Sequence, residues 1–379
     1  MALAAGPLAA VAAEAGGTAA ATDTDRWIPA DPAHRWSFPR DHHAHPGSRN
    51  EWWYFTGVVA ARDDPGRRFG YQLTLFRVGL VPDPPALDSA WATGQAVMGH
   101  AAITDLATGA HVFSEVIWRA AGPLGGFGSG SDDDPVVAFA RAPPGTPGRW
   151  TVALDGHGGF AIAMRDDARG IALDLALRPE KPIALQGPNG YSRKSAHPGY
   201  ASLYCSLTRL ATEGRVTAGG RTSPVAGTSW MDQEVGSSQL APEQRGWDWW
   251  SLRLGDGRDL MLYVLRRADG GADWRNGTLV GPDGAVTVLE AGAWSAEATG
   301  RWRSPETGAD YPSGWRVRVP GAGIDVTVTP MVKAAENVSR LVAGLSYWEG
   351  PVAVTAGGRA AGEGYVELTG YGPAGRLPL

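Results

Sequence analysis

From about residue 50 onward, apolar and polar positions alternate with a period of two, the pattern of a half-buried β-strand. Ile171-Ala172-Leu173-Asp174-Leu175-Ala176-Leu177 puts its large apolar residues on one face. With Arg149–Leu154 and Gly159–Met164, separated by a Gly-rich reversal at 155–158, it predicts a three-stranded meander. Val97–Thr104 and His111–Trp118 predict a hairpin, and further hairpins are expected to turn at Pro282-Asp283-Gly284 and Gly357-Gly358, where Pro and Gly supply the preset and positive φ that tight turns need. Two segments repeat one design. Glu51-Trp52-Trp53-Tyr54-Phe55-Thr56-Gly57 leads through a turn to Gly70-Tyr71-Gln72-Leu73-Thr74-Leu75-Phe76-Arg77, and Gly246-Trp247-Asp248-Trp249-Trp250-Ser251-Leu252-Arg253-Leu254 leads to an apolar run closed by Arg266-Arg267. Each is a tryptophan-rich strand, a reversal and an apolar strand ending in arginine, which suggests two related β units. The best helix candidate is short, Lys333–Val342, and residues 121–134 and 142–148 read as exposed loops.

Many short antiparallel strands favour a barrel or sandwich, and an aromatic-lined up-and-down barrel is expected because closure removes sheet edges and leaves room for a ligand. The length of 379 residues allows two domains, with the seam expected near 213–221: an N-terminal barrel over 26–212 and a C-terminal one over 213–379. Gly at 53 and Pro at 28 fit a turn-rich all-β chain. A net charge of −5 without a Lys/Arg cluster argues against nucleic acid. Residues 1–22 are rich in Ala, Gly, Leu and Val and read as the remains of an export signal, so that 1–25 lie outside the fold and the protein is exported to the periplasm or beyond. The lone Cys205 sits in an apolar strand and reads as a buried small hydrophobe.

The candidate chemistry is acidic. In Ser229-Trp230-Met231-Asp232-Gln233-Glu234-Val235 a strand places Trp230, Asp232 and Glu234 on one face. Two carboxyls that close, beside an indole, raise one another's pKa and suit general-acid work. Asp248, between Trp247 and Trp249, is a third candidate, with pairing to Arg253 or Arg266 as its alternative. Trp52 and Tyr54 point to one side of their strand, Trp53 and Phe55 to the other, so one pair is expected to line a cavity and the other to pack; Glu51 is expected at the strand-end surface. His100 is the best imidazole candidate. Asp41-His42-His43-Ala44-His45 is read as a flexible approach to the first strand rather than a metal site, and neither metal nor organic cofactor is expected. There is no G-x-S-x-G elbow, P-loop or dinucleotide fingerprint.

The stretches Glu51–Gly57, Gly190-Tyr191-Ser192-Arg193-Lys194, Ser229–Glu234, Gly246–Trp250, Tyr347-Trp348-Glu349-Gly350 and Gly364–Tyr371 resemble, in order, the AttH/CrtC family of lipocalin-like proteins, carotenoid 1,2-hydratases and predicted secreted hydrolases. The resemblance implies an all-β fold of two lipocalin-like (calycin) barrels side by side. It implies hydration of an isoprenoid double bond: protonation of the alkene, then capture of the cation by water. Asp232, Glu234 and Asp248 are the catalytic candidates under that reading. Trp52, Tyr54, His100, Tyr204, Trp230, Gln233, Trp247, Trp249 and Tyr263 are the expected ligand-binding set. Relatives carry His at the position of Gln233 and an aromatic at that of Val235, and the hydratases use both. Gln cannot serve as a general acid or base. The leading expectation is therefore a binder of a carotenoid, terpenoid or lipid with hydratase-like ancestry. The alternatives are an active hydratase working through its carboxylates and, more weakly, a secreted hydrolase. An ABC exporter as partner and peripheral membrane contact complete the expectations.

Overall fold

The computed structural model describes residues 26–372 apart from Pro85 and Asp132. The export-signal reading falls on residues 1–22 and lies outside the described residues. Within them the chain is all-β, with short 3-10 turns and no α-helix. Two large antiparallel sheets form two barrels side by side. In the first, the order runs from strand Ala110–Arg119 through Gln95–Asp105, Arg68–Gly79, Asn50–Ala61, Arg221–Ser238 and Ala201–Ala218 to the meander Ile171–Pro179, Phe160–Asp166, Arg149–Leu154, ending at Val136–Arg141 and Gly125–Phe127. The last two pack back against the first, so the sheet nearly closes. The second sheet is centred on Asp259–Arg267, Gln244–Leu254, Arg359–Thr369 and Ser346–Ala356. The two Trp-rich hairpins are thus Asn50–Ala61 with Arg68–Gly79 and Gln244–Leu254 with Asp259–Arg267, one in each barrel.

Each barrel interior is filled by side chains. Trp53, Phe55, Leu73, Leu75 and Trp150 pack the first, and Trp250, Trp294, Trp315 and Trp348 the second. The expectation of a ligand space inside a barrel is therefore corrected: bulky aromatic and aliphatic side chains occupy both interiors. The free space lies between the barrels.

Other boundaries move too. The seam expected at 213–221 is a hairpin turn inside the first sheet, where Gly219 and Gly220 (φ 58° and 73°) reverse the chain between Ala201–Ala218 and Arg221–Ser238. Both strands pair within the first sheet, and the chain crosses to the second only after Ser238. The helix expected at Lys333–Val342 is a strand, Glu336–Val338, followed by a turn. It pairs with Ser346–Ala356, and the Glu336 carboxylate accepts from Thr307 and Tyr311, a tertiary fit that outweighs local helix propensity. Residues 121–134 include strand Gly125–Phe127, where Gly125 leaves room for Val97.

The Asp41–His45 approach is folded, not flexible. Asp41, His42 and His43 are buried, and Trp53 Nε1 donates to the His42 carbonyl at 2.8 Å. Glu51, expected at the surface, is fully buried. It accepts from Arg77 Nε (3.1 Å), pairs with His45 Nδ1 (2.8 Å) and accepts from the His45 backbone (2.7 Å). Burial would raise its pKa, but His45 and Arg77 outweigh this and hold the carboxyl below its usual range.

The barrels are clamped together. Asp259 of the second accepts from Lys181 Nζ (2.6 Å), Arg209 Nη2 (2.6 Å) and Thr208 Oγ1 (2.9 Å) of the first. Nearby, Gly70 permits direct contact with Pro351: a Cβ at residue 70 would stand 2.6 Å from the Pro351 ring.

Candidate functional site between the barrels

Strand alternation builds the site. Along Asn50–Ala61, Trp53 and Phe55 enter the first core while Trp52 and Tyr54 face the second barrel. Along Gln244–Leu254, Trp250 and Leu252 enter the second core while Trp247 and Trp249 face the first. The two tryptophan-rich strands therefore turn an aromatic face toward each other across a cavity of about 240 Å³. Tyr54 and Trp249 meet edge to face, ring centres 5.2 Å apart, and Trp230 stands edge-on to Trp249 at 6.3 Å.

Asp232 opens onto this cavity and is only 3% exposed. It accepts from Tyr204 Oη (2.5 Å), Ser206 Oγ (2.5 Å) and Trp230 Nε1 (2.6 Å). Tyr204 Oη in turn accepts from Trp249 Nε1 at 3.1 Å, so the hydrogen-bonded chain crosses from one barrel to the other. Burial raises the Asp232 carboxyl; its three donors oppose the rise and leave its pKa at about 7. Glu234, two residues on, pairs with Lys194 Nζ at 2.7 Å and accepts from Ser202. The Lys194 ammonium lies 4.9 Å and 4.6 Å from the ring centres of Tyr204 and Tyr263. Burial alone would depress the ammonium, but Glu234 outweighs it and holds Lys194 above the usual lysine range.

The second barrel contributes an acid of its own. Glu367 lines the cavity and accepts from Trp247 Nε1 at 2.9 Å. Burial, with Glu234 and Asp232 across the cleft, brings its pKa to about 7. Its cross-strand neighbour Glu349 is fully buried and pushed well up by burial and by Glu367. His100 lines the opposite wall, and burial lowers its pKa to about 3, so the ring is neutral. Two carboxyls whose pKa values lie near neutrality thus face a largely apolar, aromatic space, which equips the cleft for proton transfer to or from an apolar molecule.

Of the residues singled out from sequence, Asp232, Glu234, Trp52, Tyr54, His100, Tyr204, Trp247, Trp249 and Tyr263 line this cavity. Trp230 stands behind Asp232 as a hydrogen-bond donor. Two residues are placed elsewhere. Gln233 points to the opposite side of its strand, into the end of the first barrel, where it meets His42 Nδ1 (3.0 Å) and donates to the Asp41 carbonyl (2.7 Å). Asp248 turns away from the cleft and accepts from Arg266 Nε (2.7 Å) and Tyr371 Oη (3.0 Å), a buried acid–arginine pair. Strand parity separates both from the cleft: their neighbours on either side face it. Position 233 is therefore not a cleft position here, and a Gln there takes nothing from the cavity wall. Lys194, Glu367, Tyr347 and Gln72 line the cleft without having been singled out. The first three lie in the family-like stretches 190–194, 364–371 and 347–350, which was the available signal. Among the described residues no cluster of His, Cys, Asp and Glu is arranged to hold a metal.

Comparison with curated proteins finds no match. A crystal structure of an AttH candidate from Nitrosomonas europaea is 32% identical, with a TM-score of 0.75 over 91% of this chain and 99% of its own. Kievitone hydratase from Nectria haematococca shares the fold at 13% identity, with a TM-score of 0.62 over 88% of this chain and 92% of its own. The family model described as AttH-like matches residues 29–371, and with nearly the whole fold inside that match the chain belongs to the AttH-like family.

Proposed function

We propose that this protein binds an apolar, unsaturated small molecule between its barrels and adds water across one of its double bonds. Asp232 carries the reading. A carboxyl brought to a pKa of about 7 inside an aromatic cleft holds a proton at neutral pH and has apolar surface in front of it. In the forward step the alkene π electrons form a C–H bond with the Asp232 proton, and the O–H pair stays on the carboxylate. The cation on the more substituted carbon is stabilised by the faces of Trp52 and Trp249 and by the acidic lining. Water attacks that carbon, and its surplus proton passes to Glu367 or back to Asp232. The atoms balance as alkene plus water giving alcohol. That a protein of this fold is named a hydratase accords with the reading.

A carrier uses the same aromatic walls but leaves its ligand unchanged. The hydrolase reading finds less support, since the residues lining the cavity include no serine or cysteine. The distinguishing experiment is mass spectrometry after incubation with detergent-solubilised acyclic isoprenoids, carotenoids included. Gain of one water by the ligand is expected, and Asp232→Asn is expected to lower the rate by about 10²–10⁴-fold while leaving ligand affinity within about threefold. A bound but unaltered ligand points to the carrier.

A further inference from the structure

The cleft contains buried polar atoms with no protein partner. Tyr54, Thr74 and His100 stand in register on three adjacent strands, and all three line the cavity. His100 Nδ1 meets Tyr347 Oη at 2.9 Å, while its Nε2 has no hydrogen bond. Gln72, two residues from Thr74, also lines the cavity; its amide nitrogen donates to Thr74 Oγ1 at 2.7 Å and its Oε1 has no partner. Tyr54 Oη, by contrast, lies against the buried Glu349 carboxyl, which is its electrostatic partner. His100 is 3% exposed and Gln72 1%, so bulk solvent does not satisfy these atoms. His100 and Gln72 thus each present an unpartnered polar atom on a cavity lining that also includes Trp52, Phe76 and Met98.

The missing partner has definable chemistry. Gln72 Oε1 accepts and so needs a donor. His100 Nε2 donates when the Tyr347 hydroxyl donates to Nδ1, and so needs an acceptor. A hydroxyl serves both. A carbonyl cannot serve Gln72, and a carboxylate is disfavoured by Asp232, Glu234 and Glu367 around the same cavity. Size gives a guide as well: a closed cavity of about 150 Å³ takes one benzene, so the 240 Å³ of this cleft matches roughly ten carbons, and a longer ligand would extend out of it.

We propose that the ligand of this cleft is a compact unsaturated alcohol whose hydroxyl sits on His100 and Gln72 while its apolar body lies against Trp52, Phe76 and Trp249. The assignment rests on the cleft being the ligand site, as above, but not on turnover.

The test is titration of the purified full chain with geraniol and with myrcene, its hydrocarbon counterpart of equal carbon number, followed by tryptophan fluorescence, to which Trp52, Trp247 and Trp249 in the cleft respond. Geraniol is expected to bind at least about tenfold more tightly than myrcene. His100→Phe and Gln72→Met are each expected to reduce that preference to below about threefold. Using two variants keeps the test decisive if one of them loses its native circular dichroism. Equal affinities for the two compounds overturn the assignment, as do no binding of either, a preference that survives both substitutions, and ordered water retained on His100 and Gln72 in a geraniol complex. Geraniol that binds in this way yet never gains water leaves the assignment standing and removes the hydratase reading alone.

Discussion

Asp232 sits between two opposing forces. Burial favours its neutral form, while Tyr204, Ser206 and Trp230 favour the anion. The compromise near pH 7 has two consequences. Hydration needs the protonated acid, so turnover is expected to fall as pH rises above about 7. Stability follows the same group. Its folded pKa lies above the unfolded one, so its contribution is fully present below about pH 4 and is lost as pH rises through about 7. Urea unfolding of Asp232→Asn should therefore show a stability that improves relative to wild type between pH 4 and pH 8, by up to ~4 kcal/mol. A constant difference across that range contradicts the raised pKa. The sequence made Asp232 and Glu234 visible because alternation sets them on one face. It could not say which face of the 244–254 strand was the ligand side, and Asp248 is the result: period two separates it from Trp247 and Trp249 but does not tell core from cleft. Glu367 and Lys194 were harder to find, because their place in the cleft depends on strands distant in sequence coming together.

At the scale of elements, each Trp-rich hairpin carries a buried acid–arginine pair: Glu51 directly across from Arg77 in the first barrel, Asp248 diagonally from Arg266 in the second. These are the arginines that close the second strand of each repeat in the sequence. Glu51 was misjudged, since an acid at a strand end usually faces solvent and nothing local announces that residues 40–48 fold over it, whereas pairing with Arg266 was already the alternative for Asp248. Removing one partner of a buried pair leaves the other uncompensated. Glu51→Ala is expected to lower stability by ~3–5 kcal/mol in urea unfolding at neutral pH, and Arg77→Met similarly, because Arg77 is also fully buried. A loss below ~1 kcal/mol for either indicates that the pair is dispensable. The hairpins themselves were legible from their turn residues. The seam was not, because Gly219 and Gly220 mark a turn between paired strands as readily as a linker.

At the scale of the whole molecule, the ligand space belongs to neither barrel alone. Both lumens are packed, and the cavity exists only because two aromatic faces are held at a fixed separation. Asp259, held by Lys181, Arg209 and Thr208, is the main buried polar clamp at one end. Asp259→Ala is expected to cost ~3–5 kcal/mol and to split a single calorimetric transition into two as the barrels uncouple, with loss of ligand-induced fluorescence change. One unchanged transition with full binding contradicts the clamp. The most direct test of the central claim is mass spectrometry of an acyclic alkenol incubated with the protein in deuterated buffer across pH 5 to 9. The account predicts a product heavier by one D₂O with deuterium on carbon, formed faster below about pH 7 than above it and at least about a hundredfold more slowly with Asp232→Asn. Ligand recovered without added water or carbon-bound deuterium at every pH contradicts it.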